Sequence, residues 1–410
     1  MKLPKIHYRT HLTEAFYGLS IAILYSFFIY AEHYDFSVTW LNTLSITIAI
    51  YLFLIAPKRV ILYSGGFIGL LWFYWIGYSF EYYHVGWMTP LITLFFVILY
   101  TLFFGVMALT KIPAIRAVLL FSLSFIEPMG WNWMQVTLPL INTYFGLALW
   151  QFALILLSLT LIATLHIPLR YLSLLILLFA VDYSNPTYPL ANLKIKLYTT
   201  TIAQEDKWQL KNQSRIVLDN LRAINSAIEE GYDLIILPES AFPLFLNSSK
   251  GLQNQLKYYS KKINIVTGAL HVENDLHYNV SYFFHHGEVE VAKKMILVPF
   301  GEYVPLPKFI RGWVNETFFD GASDFVTASK PTDFVINSIT FRNAICYEAT
   351  SKEIYEDNPR YIIATSNNGW FYPSIEPTLQ KLLMRYYATK SHSVIYHSAN
   401  QGGSGIITGR

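Results

Sequence analysis

A helix of about twenty apolar residues is long enough to cross the ~30 Å hydrocarbon core of a bilayer. The first 190 residues of this chain contain seven apolar stretches, at about 12–30, 37–56, 60–80, 89–110, 113–126, 141–165 and 168–182. The fifth and seventh are the shortest. Charged residues make up only 14% of the chain and mean hydropathy is +0.34, whereas soluble domains carry about 25% charged residues. The deficit defines a membrane protein. Aromatic residues at 17% exclude a disordered chain, which would be charge-rich and poor in rings. A net charge of +3 is too small to suggest a nucleic-acid partner. A single cysteine excludes a disulfide framework and a multi-cysteine metal centre.

The basic residues test the span count. Lys2, Lys5 and Arg9 precede the first stretch, and Lys58 and Arg59 lie between the second and third. Lys111 and Arg116 flank the fourth-to-fifth turn, and Arg170 lies at the sixth-to-seventh. The alternate loops 31–36, 81–88 and 127–140 contain no Lys or Arg. Under the positive-inside rule every basic residue of this half sorts to the cytoplasmic face. Seven spans starting inside deliver residue 191 to the outer face. The first apolar run lacks a small-residue cleavage site, so it reads as a retained span.

Residues 1–185 are therefore expected to form a transmembrane helical domain, and 186–410 an extracytoplasmic catalytic domain joined through Asn185-Pro186-Thr187-Tyr188-Pro189. The second half has soluble-like charge and reads as α/β. Strands are expected at 193–201, 233–237, 263–272, 278–285, 288–293, 334–345, 361–365 and 394–398. A helix over 208–231 carries Val217, Leu221, Ile224 and Ile228 at helical spacing and ends at Gly231. A second helix is expected over 374–391. Strands with interspersed helices suggest a layered sandwich.

Cys346 ends the apolar run 334–345. A lone cysteine can be a small buried hydrophobe, but a nucleophile at a strand end is exposed on a rigid support. A thiol needs a base and an oxyanion stabiliser. His271, His277, His285 and His286 sit on strand-like stretches without a partner motif and read as structural. Glu239 follows the apolar strand and Pro238, where burial would raise its pKa and make it a competent base. Lys294 follows the strand 288–293 and could present positive charge to an oxyanion. Taken singly, a Pro-Glu after a strand or a lysine at a strand end is usually structural or solvated.

Glu239, Lys294 and Cys346, at strand ends and separated by 55 and 52 residues, together resemble the Glu-Lys-Cys triad of the carbon–nitrogen hydrolase (nitrilase) superfamily. The flanking segments Leu237-Pro238-Glu239-Ser240-Ala241, Leu297-Val298-Pro299-Phe300-Gly301-Glu302-Tyr303-Val304-Pro305 and Ile345-Cys346-Tyr347-Glu348 resemble those of the apolipoprotein N-acyltransferase family. So do Ser366-Asn367-Asn368-Gly369-Trp370-Phe371 and Ser398-Ala399-Asn400-Gln401-Gly402. The resemblance covers nearly the whole chain and implies a membrane helical bundle of about seven spans followed by a nitrilase-like αββα sandwich.

It further implies acyl transfer from a membrane phospholipid, through a Cys346 thioester, to the free α-amino group of a diacylated apolipoprotein. Glu239 would move the protons, and Lys294 with the backbone N–H of Tyr347 would stabilise the oxyanion. No metal or organic cofactor is required, and the enzyme would be a monomer in the bacterial inner membrane. Glu302 and Glu348 resemble supporting glutamates, although Glu302 could simply cap a loop. Tyr347 would position the acyl carbonyl or line the lipid entrance. Trp208 resembles a tryptophan at the active-site mouth, or serves as an interfacial anchor. Trp370 belongs to a signature segment, and Asn400 would hold backbone near the site. Glu81, His84 and Glu127, with Trp87, Trp131 and Trp133, would lie at headgroup level, either contacting phospholipid or in ordinary outer loops. Asn368 stands where the family often has an acid. The chain stops at Gly409-Arg410, so the sandwich is expected to be short at its C-terminus, without a final span. A membrane-tethered amidase or nitrilase acting on small amides is the alternative, although one span would suffice as a tether.

Overall fold

A computed structural model describes residues 5–166, 168–298, 302 and 325–410. Internal contacts divide the chain into two units. One is Met1–Gly77 with Gly86–Asn185, and the other is Tyr78–Val85 with Pro186–Arg410.

The first unit is helical: α1 (Lys5–His33), α2 (Thr39–Ile55), α3 (Lys58–Phe73), α4 (Thr89–Gly105), α5 (Pro113–Leu123), α6 (Leu149–Thr164) and α7 (Ile176–Ala180). Leu91, Leu94, Ile98 and Leu102 form an exposed stripe on α4, while Phe96, Tyr100, Phe103 and Phe104 of the same helix are buried. An apolar stripe at helical spacing, left outside a packed bundle, is a surface for lipid. Helices α3 and α4 approach closely because α3 carries Gly65 and Gly69. A Cβ on either would lie 2.4 Å from the carbonyl oxygen of Tyr100 or Phe96, the small-residue packing common between membrane helices. Arg116 is buried, and its guanidinium donates to the carbonyls of Leu54, Ala56 and Thr110. These carbonyls lie at or just beyond helix C-termini, where cations are favoured.

Three expectations change here. Among the described residues, four helical stretches are long and apolar enough to cross a membrane, His11–His33, Lys58–Tyr82, Gly86–Leu109 and Pro113–Gly130. Thr39–Ile55, Leu149–Thr164 and Arg170–Ala180 are apolar but shorter, so the count of seven full spans is not reached by length. The expected sixth stretch begins as helix only at Leu149, because the Gln151 side chain takes the Ala148 N–H at 3.2 Å and starts the helix there. The expected outer loop 127–140 is largely packed inside the unit. Trp131 and Trp133 are buried against Phe73, Phe96 and Trp75, whereas Trp87 is exposed. Indole surface this large is more stable packed than wet.

In the second unit the described residues form two sheets. The first contains β1 (Ile195–Leu197), β2 (Leu234–Ile236), β3 (Phe242–Phe245), β4 (Asn264–Glu273), β5 (Leu276–His285) and β6 (Glu288–Lys293), ordered β1-β2-β4-β5-β6 with β3 also on β4. The second contains β7 (Asp333–Ile336), β8 (Ile339–Ile345), β9 (Tyr361–Asn367), β10 (Val394–Asn400) and β11 (Gly405–Ile407), ordered β11-β10-β9-β8-β7. Strands β8, β9 and β10 are parallel, and β7 and β11 close the edges antiparallel.

The sheets pack face to face. Leu234, Ile236, Val266 and Phe283 of the first meet Phe334, Phe341, Ile363 and Tyr396 of the second in one core. On the other face of the first sheet, Leu221 and Ile224 from the helix Leu210–Glu229 and Leu256 from Lys250–Tyr259 pack on Ile235, Leu237 and Ile265. The helix Glu376–Ser391 packs against β10 and β11 of the second sheet. The result is an αββα sandwich. The run expected as one strand at 334–345 is a hairpin, because Asn337 and Ser338 both adopt positive φ, 48° and 65°, the conformation a two-residue primed turn needs.

Candidate active site

In parallel sheets the carboxyl ends of the strands gather the groups that bind ligands. Here Glu239 follows β2, Cys346 follows β8, and Asn367 and Asn400 end β9 and β10. Lys294 follows β6 in the antiparallel part of the first sheet. Cys346 is the first residue of a short 3-10 helix and has φ +55°. A left-handed residue other than glycine costs of order 1–3 kcal/mol and is concentrated at functional sites. Ser240, beside Glu239, also has positive φ at 49°. Gly268 of β4 makes that turn possible, since a Cβ there would lie 2.5 Å from the Ser240 nitrogen and 2.6 Å from the Glu239 Cα.

Lys294 is 1% exposed. Its Nζ lies 2.7 Å from Glu302 Oε2 and 3.5 Å from Glu239 Oε1. Asn279, on β5, donates its Nδ2 to Glu239 Oε1 at 2.8 Å and to Glu302 Oε1 at 2.9 Å. One ammonium and one amide thus hold two carboxylates together. Glu302 also accepts the Val298 N–H at 2.9 Å, so it caps its loop and supports Lys294 at once. Burial pulls the Lys294 ammonium downward, but Glu302, Glu239 and the Cys346 sulfur more than reverse this, and its pKa is raised. Burial pushes the Cys346 thiol well up and Glu239 adds to the rise, while Lys294 pulls it back. The resting sulfur is therefore a thiol that needs a base.

These groups line a cavity of about 320 Å³ together with Ser79, Trp208, Leu270, Val298, Phe325, Trp370 and Phe371. Its polar end holds Glu239, Lys294, Glu302 and Cys346, and the rest is mainly apolar. Gln380, on the helix Glu376–Ser391, reaches Cys346 Sγ at 3.9 Å through its Nε2.

The remaining expected residues fall outside the cavity. Tyr347 is buried and does not line it, because the left-handed turn at Cys346 carries the chain into the 3-10 helix and the core. The expectation that Tyr347 faces the lipid entrance is corrected on this point. Asn400 accepts from Thr200 Oγ1 and the Ile202 N–H and donates to the Ile202 carbonyl and Asn367 Oδ1, all at 2.8 Å. Asn368, at the position where the family often has an acid, is buried and donates to the Gly402 carbonyl at 3.0 Å, a tie to the main chain. Residues 299–301 and 303–305 of the expected signature lie outside the described residues. Lys207, Asn279, Glu376 and Gln380 were not read from sequence. They sit in a charged four-residue segment, mid-strand or on a helix, and carried no strand-end signal.

Glu348 is buried and accepts the N–H groups of Met295, Ile296 and Ile345. It ties the main chain after Lys294 to the main chain before Cys346. Burial pushes its pKa up to about 7, against the pull of Lys294 and the three N–H donors. Glu348→Gln would turn one acceptor into a donor facing an N–H. It is expected to destabilise the unit by about 1–3 kcal/mol, read as a lower midpoint in thermal unfolding. An unchanged midpoint would contradict this role.

The second unit is thus an αββα sandwich with a cysteine, a lysine and paired carboxylates at its strand ends, in a chain that also carries an apolar helical unit. The family model described as the apolipoprotein N-acyltransferase integral membrane domain matches residues 12–183. The apolipoprotein N-acyltransferase of Wolinella succinogenes is 43% identical over 94% of this chain and 94% of its own. That of Helicobacter hepaticus is 36% identical over 87% and 90%. A solved CN-hydrolase superfamily protein from Xanthomonas campestris is 12% identical over 52% of this chain and 77% of its own, with a TM-score of 0.39. The chain belongs to the apolipoprotein N-acyltransferase family.

Proposed function

We propose that this enzyme moves an acyl chain from a membrane phospholipid to the α-amino group of the diacylglyceryl-cysteine that begins an apolipoprotein. Glu239 takes the Cys346 proton as the sulfur attacks the donor ester carbonyl, and Lys294 faces the negative charge that develops on the carbonyl oxygen. The adduct collapses to a Cys346 thioester, and the lysophospholipid leaves with the proton from Glu239. The amine then attacks the thioester, Glu239 accepts its proton, and collapse yields the amide and returns the proton to sulfur. The reaction is ping-pong. It runs on the outer face of the inner membrane, with the enzyme as a monomer.

The observation that carries this reading is the cavity itself. Its charged end holds the base, the cation and the thiol, and Leu270, Val298, Phe325, Trp370 and Phe371 give it apolar walls suited to an acyl chain. A membrane unit suits substrates with lipid tails, which cost about 0.8 kcal/mol per CH₂ to bring into water. The test supplies purified enzyme with phospholipid and a diacylated lipopeptide and follows products by mass. Triacylated lipopeptide with matching lysophospholipid is expected. Hydrolysis of small amides without transfer would favour the tethered amidase instead.

A further inference from the structure

Gln380 is a buried polar residue whose place the packing of the sandwich does not explain. It lies on the helix Glu376–Ser391, which packs against the short 3-10 helix that Cys346 begins. Its side chain is fully enclosed. Its Nε2 donates to the Cys346 sulfur at 3.9 Å, and its Oε1 is buried with no hydrogen-bond partner among the described residues. Other buried polar groups near the site have firmer ties. Lys207 donates to the Glu239 main-chain oxygen at 3.0 Å, and Asn279 holds both carboxylates. A buried amide with one end unpaired costs stability, and an apolar side chain would cover this helix face without that cost.

A contact this long does little for a neutral thiol. The balance changes when the sulfur carries charge, because hydrogen bonds to an ion are shorter and roughly twice as strong. Among the described residues, the titratable groups acting on the sulfur are Glu239, Lys294, Glu376 and Glu302. Three are carboxyl groups. The one cation, Lys294, is engaged by Glu302 at 2.7 Å and faces Glu239 at 3.5 Å. Glu376 begins the helix one turn before Gln380, and burial with the nearby Glu239 holds it well above the ordinary carboxylate range, hence neutral. An amide suits such a place. It does not titrate, so its N–H stays a donor whatever the protonation of the carboxyl groups around it.

We propose that Gln380 is a further catalytic residue, an uncharged donor whose N–H stabilises negative charge on the Cys346 sulfur both when it attacks and when it leaves. The proposal rests on the reading of Cys346 as nucleophile. In the first half of the reaction Glu239 takes the thiol proton, and a sulfur electron pair forms the bond to the donor carbonyl carbon. In the second half the amine adduct collapses, the carbon–sulfur bond breaks and its electron pair returns to sulfur. Gln380 touches the sulfur in both, while Lys294 serves the carbonyl oxygen. An interaction that strengthens as charge develops lowers the barrier.

The test uses Gln380→Met, which fills the space without a donor, and Gln380→Leu, a second helix former without one. The full chain in detergent is alkylated with iodoacetamide between pH 6 and 10 and read by intact mass. The chain has one cysteine, so the adduct absent from Cys346→Ala reports on that sulfur. In both variants alkylation at pH 8 is expected to slow about tenfold and the pH profile to move up by about one unit. Discharge of acyl-enzyme by a diacylated lipopeptide is expected to slow by a similar factor. A packing role alone would lower the thermal midpoint and leave the profile in place. A folded Gln380→Met with the wild-type profile or the wild-type discharge rate would overturn the proposal, and Gln380→Leu carries the same test if Gln380→Met does not fold. A wild-type chain that forms no acyl-enzyme would sink the acyl-transfer reading and this proposal together. Normal acyl-enzyme formation beside an unmoved variant would sink this one alone.

Discussion

Lys294→Met is expected to cost both stability and nearly all acyl transfer. The ammonium is enclosed, 2.7 Å from Glu302 and 3.5 Å from Glu239. Removing it leaves two carboxylates against one another with only the Asn279 amide between them. Breaking a buried pair by deleting one partner typically costs about 3–5 kcal/mol. Loss of the positive charge at the oxyanion removes on the order of 10²–10³ in rate. The pH dependence has a defined sign. The Lys294 pKa is raised in the folded chain, so its stabilising contribution is whole below its ordinary value of 10.5 and is lost only in stronger alkali. Thermal unfolding and lipopeptide transfer of the purified variant measure the two effects. A variant with the wild-type midpoint and more than about a tenth of wild-type transfer, far above the loss expected of an oxyanion group, would contradict the account.

Cys346→Ala is expected to behave differently, with transfer abolished and the fold retained. The sulfur is partly open to the cavity, and its contact to Gln380 Nε2 is long at 3.9 Å. Removing it should change stability by no more than about 1 kcal/mol, since the hydrogen bond it takes from the buried Gln380 is already long and weak. In the proposed reaction the Cys346 sulfur carries the acyl chain, and neither remaining partner can replace it. Glu239 is a base without a nucleophile, and Lys294 is a cation without an anion. Together the two variants separate a group that builds the site from one that uses it.

Much of the fold was legible because burial writes itself into the sequence. Leu234–Ile236 is wholly apolar, and Ile339–Ile345 and Tyr361–Asn367 are more than half apolar over a strand length; the groups just past the first two and after β6 make up the candidate triad. The hairpin at Asn337 and Ser338 was missed because an Asn-Ser pair inside an apolar run carries a weaker turn signal than Asn-Gly. Strand β3 was missed because Pro243 lies within it, and proline argues against a strand interior. The helix Lys250–Tyr259 did carry Leu252, Leu256 and Tyr259 at helical spacing, a signal that was available. In the membrane half the apolar stretches located the helices, but their lengths depended on local capping such as that by Gln151.

The site was only half legible for a related reason. Glu239, Lys294 and Cys346 announce themselves by position, since each polar group follows a strand. Asn279 and Lys207 do not. Asn279 alternates with apolar neighbours on β5, and Lys207 sits in a Gln-Glu-Asp-Lys run that reads as solvated surface. Their importance comes from distances to Glu239, which no local pattern encodes. Gly268 is similar, because its requirement is the Glu239 main chain packed against it.

The central claim is that the acyl chain passes through the sulfur of Cys346. It is tested most directly by the intact mass of the purified protein after incubation with phospholipid, wild type beside Cys346→Ala. The account predicts an added acyl mass on the wild type alone, discharged by a diacylated lipopeptide as triacylated product. Transfer by the folded Cys346→Ala variant, or an acyl mass that persists in it, would contradict the account.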